Sequence, residues 1–257
     1  MRRALGVGVM HACGHDIHMA RLVGVVRFLA RHKNLWRGTA MLVGQPAEET
    51  LVGAQAMLDD GRFTRFPKPD FALAEHCDAS LAAGKVGIRA GCTLANSDTV
   101  MRGRVGDSCH LQATVHSYSD NVREMLLRGI ERKAQAIAAG AKAPEPTVTV
   151  GTGTPALEND ARLTGRIEDV FRRVFGSDRV VPAEQSMGAE DFSRYGRVGV
   201  PVLMFRLGTV VAPRLDQYHA LGQTPPSLHS ALFYPDAEPT LETGVVAMTS
   251  AALTLLR

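Results

Sequence analysis

HACGHDIHMARLVGVVRFLAR, residues 11–31, is the stretch on which the fold turns. From Asp16 to Arg31 apolar positions recur at helical spacing. His18, Leu22, Val25 and Leu29 form one stripe, and Met19, Val23 and Val26 widen it. The pattern predicts a buried helix that begins immediately after HACGH. Cys13 and His15 then sit two residues apart at the helix head, where irregular backbone lets both side chains turn toward one point. Thiolate and imidazole suit a borderline-soft cation such as Zn2+. The plainer reading is a small buried cysteine and a capping histidine.

Downstream, GTAMLVGQ (38–45) reads as a strand ending at PAEE, 53–60 as a short helix stopped by Gly61, and DFALAEH (70–76) as a second strand that delivers His76 at its end. Strands ending in polar residues, with helices between them, indicate an α/β sheet whose strand ends form a crevice for ligands. From Gly84 the texture changes. GKVGIRAG, SDTVMRGRV and CHLQATVHSY alternate as antiparallel strands do, with the turn-rich Gly103 to Ser108 between two of them, and an amphipathic helix follows over 120–139. A helix over 158–175, then SMGAEDFSRYG, the apolar strand PVLMFRLG and a last helix over 240–256 read as a return to the first layer. The expected organisation is an α/β main domain, a mixed sheet flanked by helices, made of residues 1–94 and 154–257. A smaller α+β unit, 95–153, is inserted in it.

Glu48 and Glu49 follow Pro46 at the end of the apolar segment TAMLVG, and adjacent side chains diverge. One carboxylate can bind metal while the other moves protons between water and a leaving group. Two exposed acids on a solvated turn are the alternative. His76 and His229, the latter in PPSLHS, complete a set of one local pair, one carboxylate and two distant histidines. Remote ligands are typical of catalytic metals, although either histidine alone is more often a surface or core residue. His18 and His32 fit helix faces, and His110, His116 and His219 have no second ligand nearby. Glu190 and Asp191, in GAEDF, read either as an acidic helix start or as acceptors that orient a ligating imidazole.

The charge of +3 arises from 29 basic and 26 acidic residues scattered over 257 positions, so no basic block tracks a phosphate backbone and nucleic acid is not an expected partner. Cys13, Cys77, Cys92 and Cys109 form no CxxC pair, which fits a reducing compartment, and cytoplasm is expected. Arg2 and Arg3 precede the apolar run Ala4 to Met10, but that run is short for a signal peptide and lacks an A-x-A site. No stretch approaches the roughly 20 apolar residues that span a bilayer, so no membrane association is expected.

Taken together, MHACGHDIH, QPAEE, the strand carrying His76, SMGAEDF and SLHS, in this order, resemble the metal-dependent amidohydrolases of the zinc-peptidase class. That family includes hippurate hydrolase, N-acyl-amino-acid amidohydrolases, auxin-conjugate hydrolases and thermostable carboxypeptidases. The resemblance covers nearly the whole chain. It implies a zinc-peptidase-like sheet with an inserted lid domain, and two divalent ions (Zn, Mn, Co or Ni) bound by Cys13, His15, Glu49, His76 and His229. It further implies Glu48 as general base and, as substrate, a small N-acyl amino acid, an aminobenzoyl conjugate or a short peptide. Family members carry further strands and a helix ahead of the metal motif, so an incomplete sheet with an uncovered edge and self-association are expected. A chain that is part of a longer one predicts coding sequence upstream of Met1. The lid is expected to be shortened. SDTVMRGRV runs almost directly into CHLQATVHSYSD, where the family has a longer segment with a carbonyl-polarising histidine, and His116 takes a position usually held by arginine. The lid supports dimerisation in the family, so a homodimer is expected only in weakened form. A metal-binding remnant without turnover, or an interaction protein, is the alternative reading.

Overall fold

The computed structural model describes residues 10–102, 111–151 and 153–256. Most of the run Ala4 to Met10, the turn Gly103 to Ser108, Cys109 and His110 lie outside the described residues. The chain opens with α1 (His15–Arg31), α2 (Gly53–Asp59) and α3 (Arg62–Arg65), then β1 (Ala72–Ala82), β2 (Val86–Ile88) and β3 (Gly91–Leu94). The middle holds β4 (Asn96–Arg102), β5 (Leu111–Ser117), α4 (Asp120–Gly140) and β6 (Thr149–Val150). The last part holds β7 (Leu157–Asn159), α5 (Ala161–Phe175), β8 (Val180–Pro182), α6 (Ser193–Arg197), β9 (Val202–Val210), α7 (Ala212–Ala220) and α8 (Ala237–Leu255).

The main sheet is mixed, in the order β1-β9-β2-β8. β1 runs parallel to β9, β2 antiparallel to β9, and β8 parallel to β2. β9 is central, and its side chains alternate between two apolar layers as a strand's period of two requires. Leu203 and Phe205 join Val25 and Leu29 of α1, Ile167 and Phe171 of α5 and Ala247 and Met248 of α8. Val202 and Met204 face Ala54 of α2 and Phe192 and Tyr195 near α6. Helices thus cover both faces, as the sequence predicts for an α/β layer structure. A separate sheet, β5-β4-β6, carries α4. The Arg123 guanidinium of α4 binds both oxygens of the buried Asp98 on β4, at 2.5 Å each.

Several elements differ from expectation. GTAMLVGQ forms no strand: a strand exists through its ladder, and among the described residues this segment has none. Ala40 packs on the main core instead, Arg62 donates to the Met41 sulfur, and Leu42 stays exposed. Among the described residues β1 is paired only on its β9 side, and Val52, Phe66 and Phe71 are exposed as well. His76 lies inside β1 rather than at its end, because pairing with β9 continues to Ala82 past an irregularity after Asp78. α1 is not buried all round. Its buried row is Ile17, Arg21, Val25 and Leu29, while Met19 and Val23 face solvent, because α8 covers one flank only. Residues 84–91 contribute β2 to the main sheet, not to the inserted one, and 157–159 form a strand before α5 begins. No described helix is long and apolar enough to cross a membrane.

Candidate metal centre

Three turns and one strand converge on the candidate site. The first turn is Cys13-Gly14-His15. Gly14 is left-handed at φ 79°, and a Cβ there would stand 2.8 Å from the Cys77 sulfur, so only glycine lets the turn lie against β1. α1 starts at His15 and brings His18 round one turn later. The Cys77 backbone N–H donates to His18 Nε2 at 3.1 Å, which pins the helix head to the strand. The His15 and His18 ring centroids are 5.3 Å apart, and those of His18 and His76 are 5.2 Å apart.

His76 uses Nδ1–H to donate to the Cys77 carbonyl at 2.9 Å, which fixes the tautomer and leaves Nε2 as an acceptor facing the Cys13 sulfur at 3.5 Å. Burial, with the charge of Arg206, pulls its pKa down to about 4. Burial and then the Glu49 and Glu48 carboxylates push the Cys13 thiol well up.

The second turn carries Glu48 and Glu49 in a 3-10 segment between Ala47 and Leu51, both left-handed at φ 54° and 57°. Non-glycine residues in that region store strain, and surrounding contacts must hold it. Asp191 supplies them: one oxygen accepts from Gln45 Nε2 at 2.5 Å and the other from the Ala54 backbone N–H at 2.8 Å. Glu190, also buried, accepts from the Phe192 N–H at 3.1 Å. Burial and then the nearby Glu48 hold its carboxyl far above the carboxylate range. Burial pushes Glu48 upward too, but hydrogen bonds with His15 and Glu190 and the charge of His76 bring it below its ordinary value. The Glu48 contact in turn holds His15 above its usual range, against burial. GAEDF is therefore neither a helix start nor an acceptor for imidazole: it clamps the turn that carries the carboxylates.

The third turn brings His229, left-handed at φ 67°, whose backbone N–H donates to the Ala12 carbonyl at 2.9 Å. His15 Nε2 lies 3.3 Å from Glu48 and 3.7 Å from Glu49, and His229 Nε2 lies 3.3 Å from Glu49. All six residues predicted for the chemistry meet here. Ligand atoms of Cys13, His15 and His76 lie within 4.8 Å of one another, and so do those of Cys13, Glu49 and His229. The two triples share the thiol. Sulfur, imidazole and carboxylate in this mixture fit borderline divalent cations. The Cys13 and His76 side is buried, and the Glu49 and His229 side opens to solvent.

The other histidines stay apart from this centre. His32 stacks on Phe28, His116 of β5 bonds the Asn96 carbonyl of β4 through Nδ1, and His219 is exposed on α7. Two contributors were not singled out from sequence. The spacing of His18 from His15, three residues on a helix, placed both on one side and could have found the first. Arg206, a charge inside the apolar strand PVLMFRLG, could have found the second.

Residues 4–222 match the profile of peptidase family M20/M25/M40. A Synechocystis sp. protein named "Probable hydrolase sll0100" is 29% identical over 305 residues, which takes in 95% of this chain and 73% of the relative. That alignment is longer than the chain, so the relative carries inserted residues. An Arabidopsis thaliana IAA-amino acid hydrolase (ILR1-like 2) is 36% identical over 111 residues, covering 42% of this chain and only 25% of the plant protein. Among solved structures, the Bacillus subtilis YXEP protein, described as a dinuclear metal binding peptidase from the M20 family, superposes with a TM-score of 0.77 at 23% identity, covering 96% of this chain and 73% of that one. The chain therefore belongs to the hydrolases of peptidase family M20/M25/M40.

Proposed function

We propose that this chain hydrolyses the amide bond of small N-acyl amino acids, aminobenzoyl conjugates or short peptides, with Glu48 as general base. Two divalent ions would be held by Cys13, His15, Glu49, His76 and His229. The observation that carries this reading is the division of labour in the Glu48–Glu49 pair. Both carboxylates group with His15, but only Glu49 joins the triple with Cys13 and His229, and only Glu48 groups with the buried Glu190 and Asp191. Bound ions would supply Lewis acidity, lowering the pKa of water toward about 7 and polarising the scissile carbonyl.

The remaining work falls to the protein. Glu48 is held ionised by His15, so it can take a proton from the attacking water. Glu190 hydrogen-bonds Glu48 from the buried side and helps to hold its carboxylate in place. The proton then passes from Glu48 to the leaving nitrogen, and a carboxylic acid and an amine depart. No covalent intermediate with the chain is needed. The names of relatives, such as N-acetyldiaminopimelate deacetylase and N-acetylcysteine deacetylase, favour N-acyl amino acids as the substrate class.

The division into 1–94, 95–153 and 154–257 is part of the same reading. Its support is the crossing point, where Leu94 bridges Ser186 and Ser97 bridges Thr154, with β5-β4-β6 beyond it. Zn2+ and Mn2+ are the ions to try first, and cytoplasm remains the expected compartment. The test is Glu48→Ala. It should lower turnover of an N-acyl amino acid by about 100-fold or more while metal content stays near that of the parent. Unchanged turnover removes Glu48 from its role.

A further inference from the structure

Cys77 follows His76 on β1, and histidine rings take up both of its main-chain groups. Its N–H donates to His18 Nε2 at 3.1 Å, and its carbonyl accepts from His76 Nδ1 at 2.9 Å. A neighbouring strand would otherwise have to satisfy those groups. The ring of His18 also stands against two ligand candidates. Its centroid lies 5.3 Å from that of His15 and 5.2 Å from that of His76, and the latter two are 6.4 Å apart. Because Nε2 accepts from an N–H it carries no proton, so the ring is neutral with its hydrogen on Nδ1. Among the described residues neither ring nitrogen of His18 joins a ligand triple. His18 therefore touches two ligand candidates on different elements without being one of them.

This placement singles out one of the two triples that share the Cys13 thiol. Cys13, His15 and His76 form the buried one, and His18 touches both of its imidazoles. The open triple of Cys13, Glu49 and His229 is held by other contacts: Asp191 on Gln45 and Ala54, and the His229 N–H on the Ala12 carbonyl. A ligating imidazole keeps its orientation only when its surroundings fix it, and such outer partners are worth about 10–100-fold in metal affinity. We infer that His18 is a positioning residue for the buried ion alone: bonded to the Cys77 N–H, it sets the gap between His15 on α1 and His76 on β1. The inference rests on the proposed ligand set, and metal binding reads it without turnover.

The experiment is calorimetric titration of the metal-free chain with Co2+, with thermal melts of the metal-free forms alongside. The parent should take up two ions. In His18→Leu one ion should bind about 10–100-fold more weakly, and the other should stay within about threefold of the parent. His18→Gln, whose amide oxygen can accept from the Cys77 N–H, should recover most of that loss. A merely structural role predicts a lower melting temperature with no difference between the ions, so equal weakening of both, or of neither, overturns the assignment. A second measurement needs no variant. In the cadmium-loaded parent, nitrogen NMR should show coupling of cadmium to the rings of His15 and His76 and none to His18. Coupling to His18 makes it a ligand and overturns the positioning role, whether or not His18→Leu folds. The two readings stay apart: a parent that takes up no Co2+ sinks the proposed ligand set, whereas two ions bound equally well with and without His18 sink this inference alone.

Discussion

Asp191 and Ala54 are joined by a buried hydrogen bond of 2.8 Å from the Ala54 backbone N–H to Oδ2, while the other carboxylate oxygen holds Gln45. The two contacts bracket the turn that carries Glu48 and Glu49, from just before Pro46 to the start of α2. Asp191→Ala leaves the Ala54 N–H buried and unpaired, a loss of about 1–3 kcal/mol in urea unfolding. Because the clamp positions Glu49, metal affinity should also fall by about 10–100-fold. Loss of stability with unchanged affinity would make Asp191 purely structural.

Gly14→Ala should disrupt both stability and metal binding. The left-handed φ costs a non-glycine residue about 1–2 kcal/mol, and the new methyl meets the Cys77 sulfur. Adding Cys77→Ala removes the collision but not the backbone cost, so the double variant should recover part of the loss. Thermal melts of the two variants check this, and no recovery would place the strain elsewhere.

Glu75 and Arg21 form an ion pair between β1 and α1, wholly buried, on the face of β1 opposite His76. Neither Glu75 oxygen has a further hydrogen-bond partner among the described residues. Glu75→Gln strands the Arg21 charge and should cost about 3–5 kcal/mol, whereas Arg21→Met with Glu75→Leu should be close to neutral. Denaturant titration separates the cases, and a mild effect of Glu75→Gln would show that Arg21 finds water.

Metal uptake should release protons. Burial keeps the Cys13 thiol protonated, and the Glu48 contact holds His15 above its usual range, so each must shed a proton before it can bind a cation. Both pKa values are raised in the free chain, so affinity rises with pH. The gain from pH 6 to 8 should be about tenfold per pH unit for each proton released. Calorimetry in buffers of different ionisation enthalpy counts those protons, and pH-independent affinity would exclude the thiol as a ligand.

How much of this was legible in the sequence differs by element. The head of α1, the carboxylate pair and His229 were readable because each puts an uncommon residue at a turn or element boundary, and His76 because it interrupts an apolar strand pattern, although it lies inside β1. β9 was readable because a central strand buries both faces and shows a continuous apolar run. Residues 38–45 read the same way, yet formed no strand, because a ladder depends on a partner that the segment's own pattern does not encode. Asp191's clamp on Gln45 and Ala54 was hidden for a similar reason: its partners are main-chain and amide groups far away in sequence. The spacing of His18 from His15 places both on one side of α1, but the partner of His18, a backbone N–H of β1, is not encoded in that spacing.

The most direct test of the metal centre is elemental analysis of the purified chain after loading with Zn2+ or Mn2+ and removal of free ions. The account predicts close to two ions per chain in the parent, and fewer in Cys13→Ala, whose sulfur is common to both triples. A chain that retains no metal, or a Cys13→Ala variant that retains as much as the parent, would contradict it.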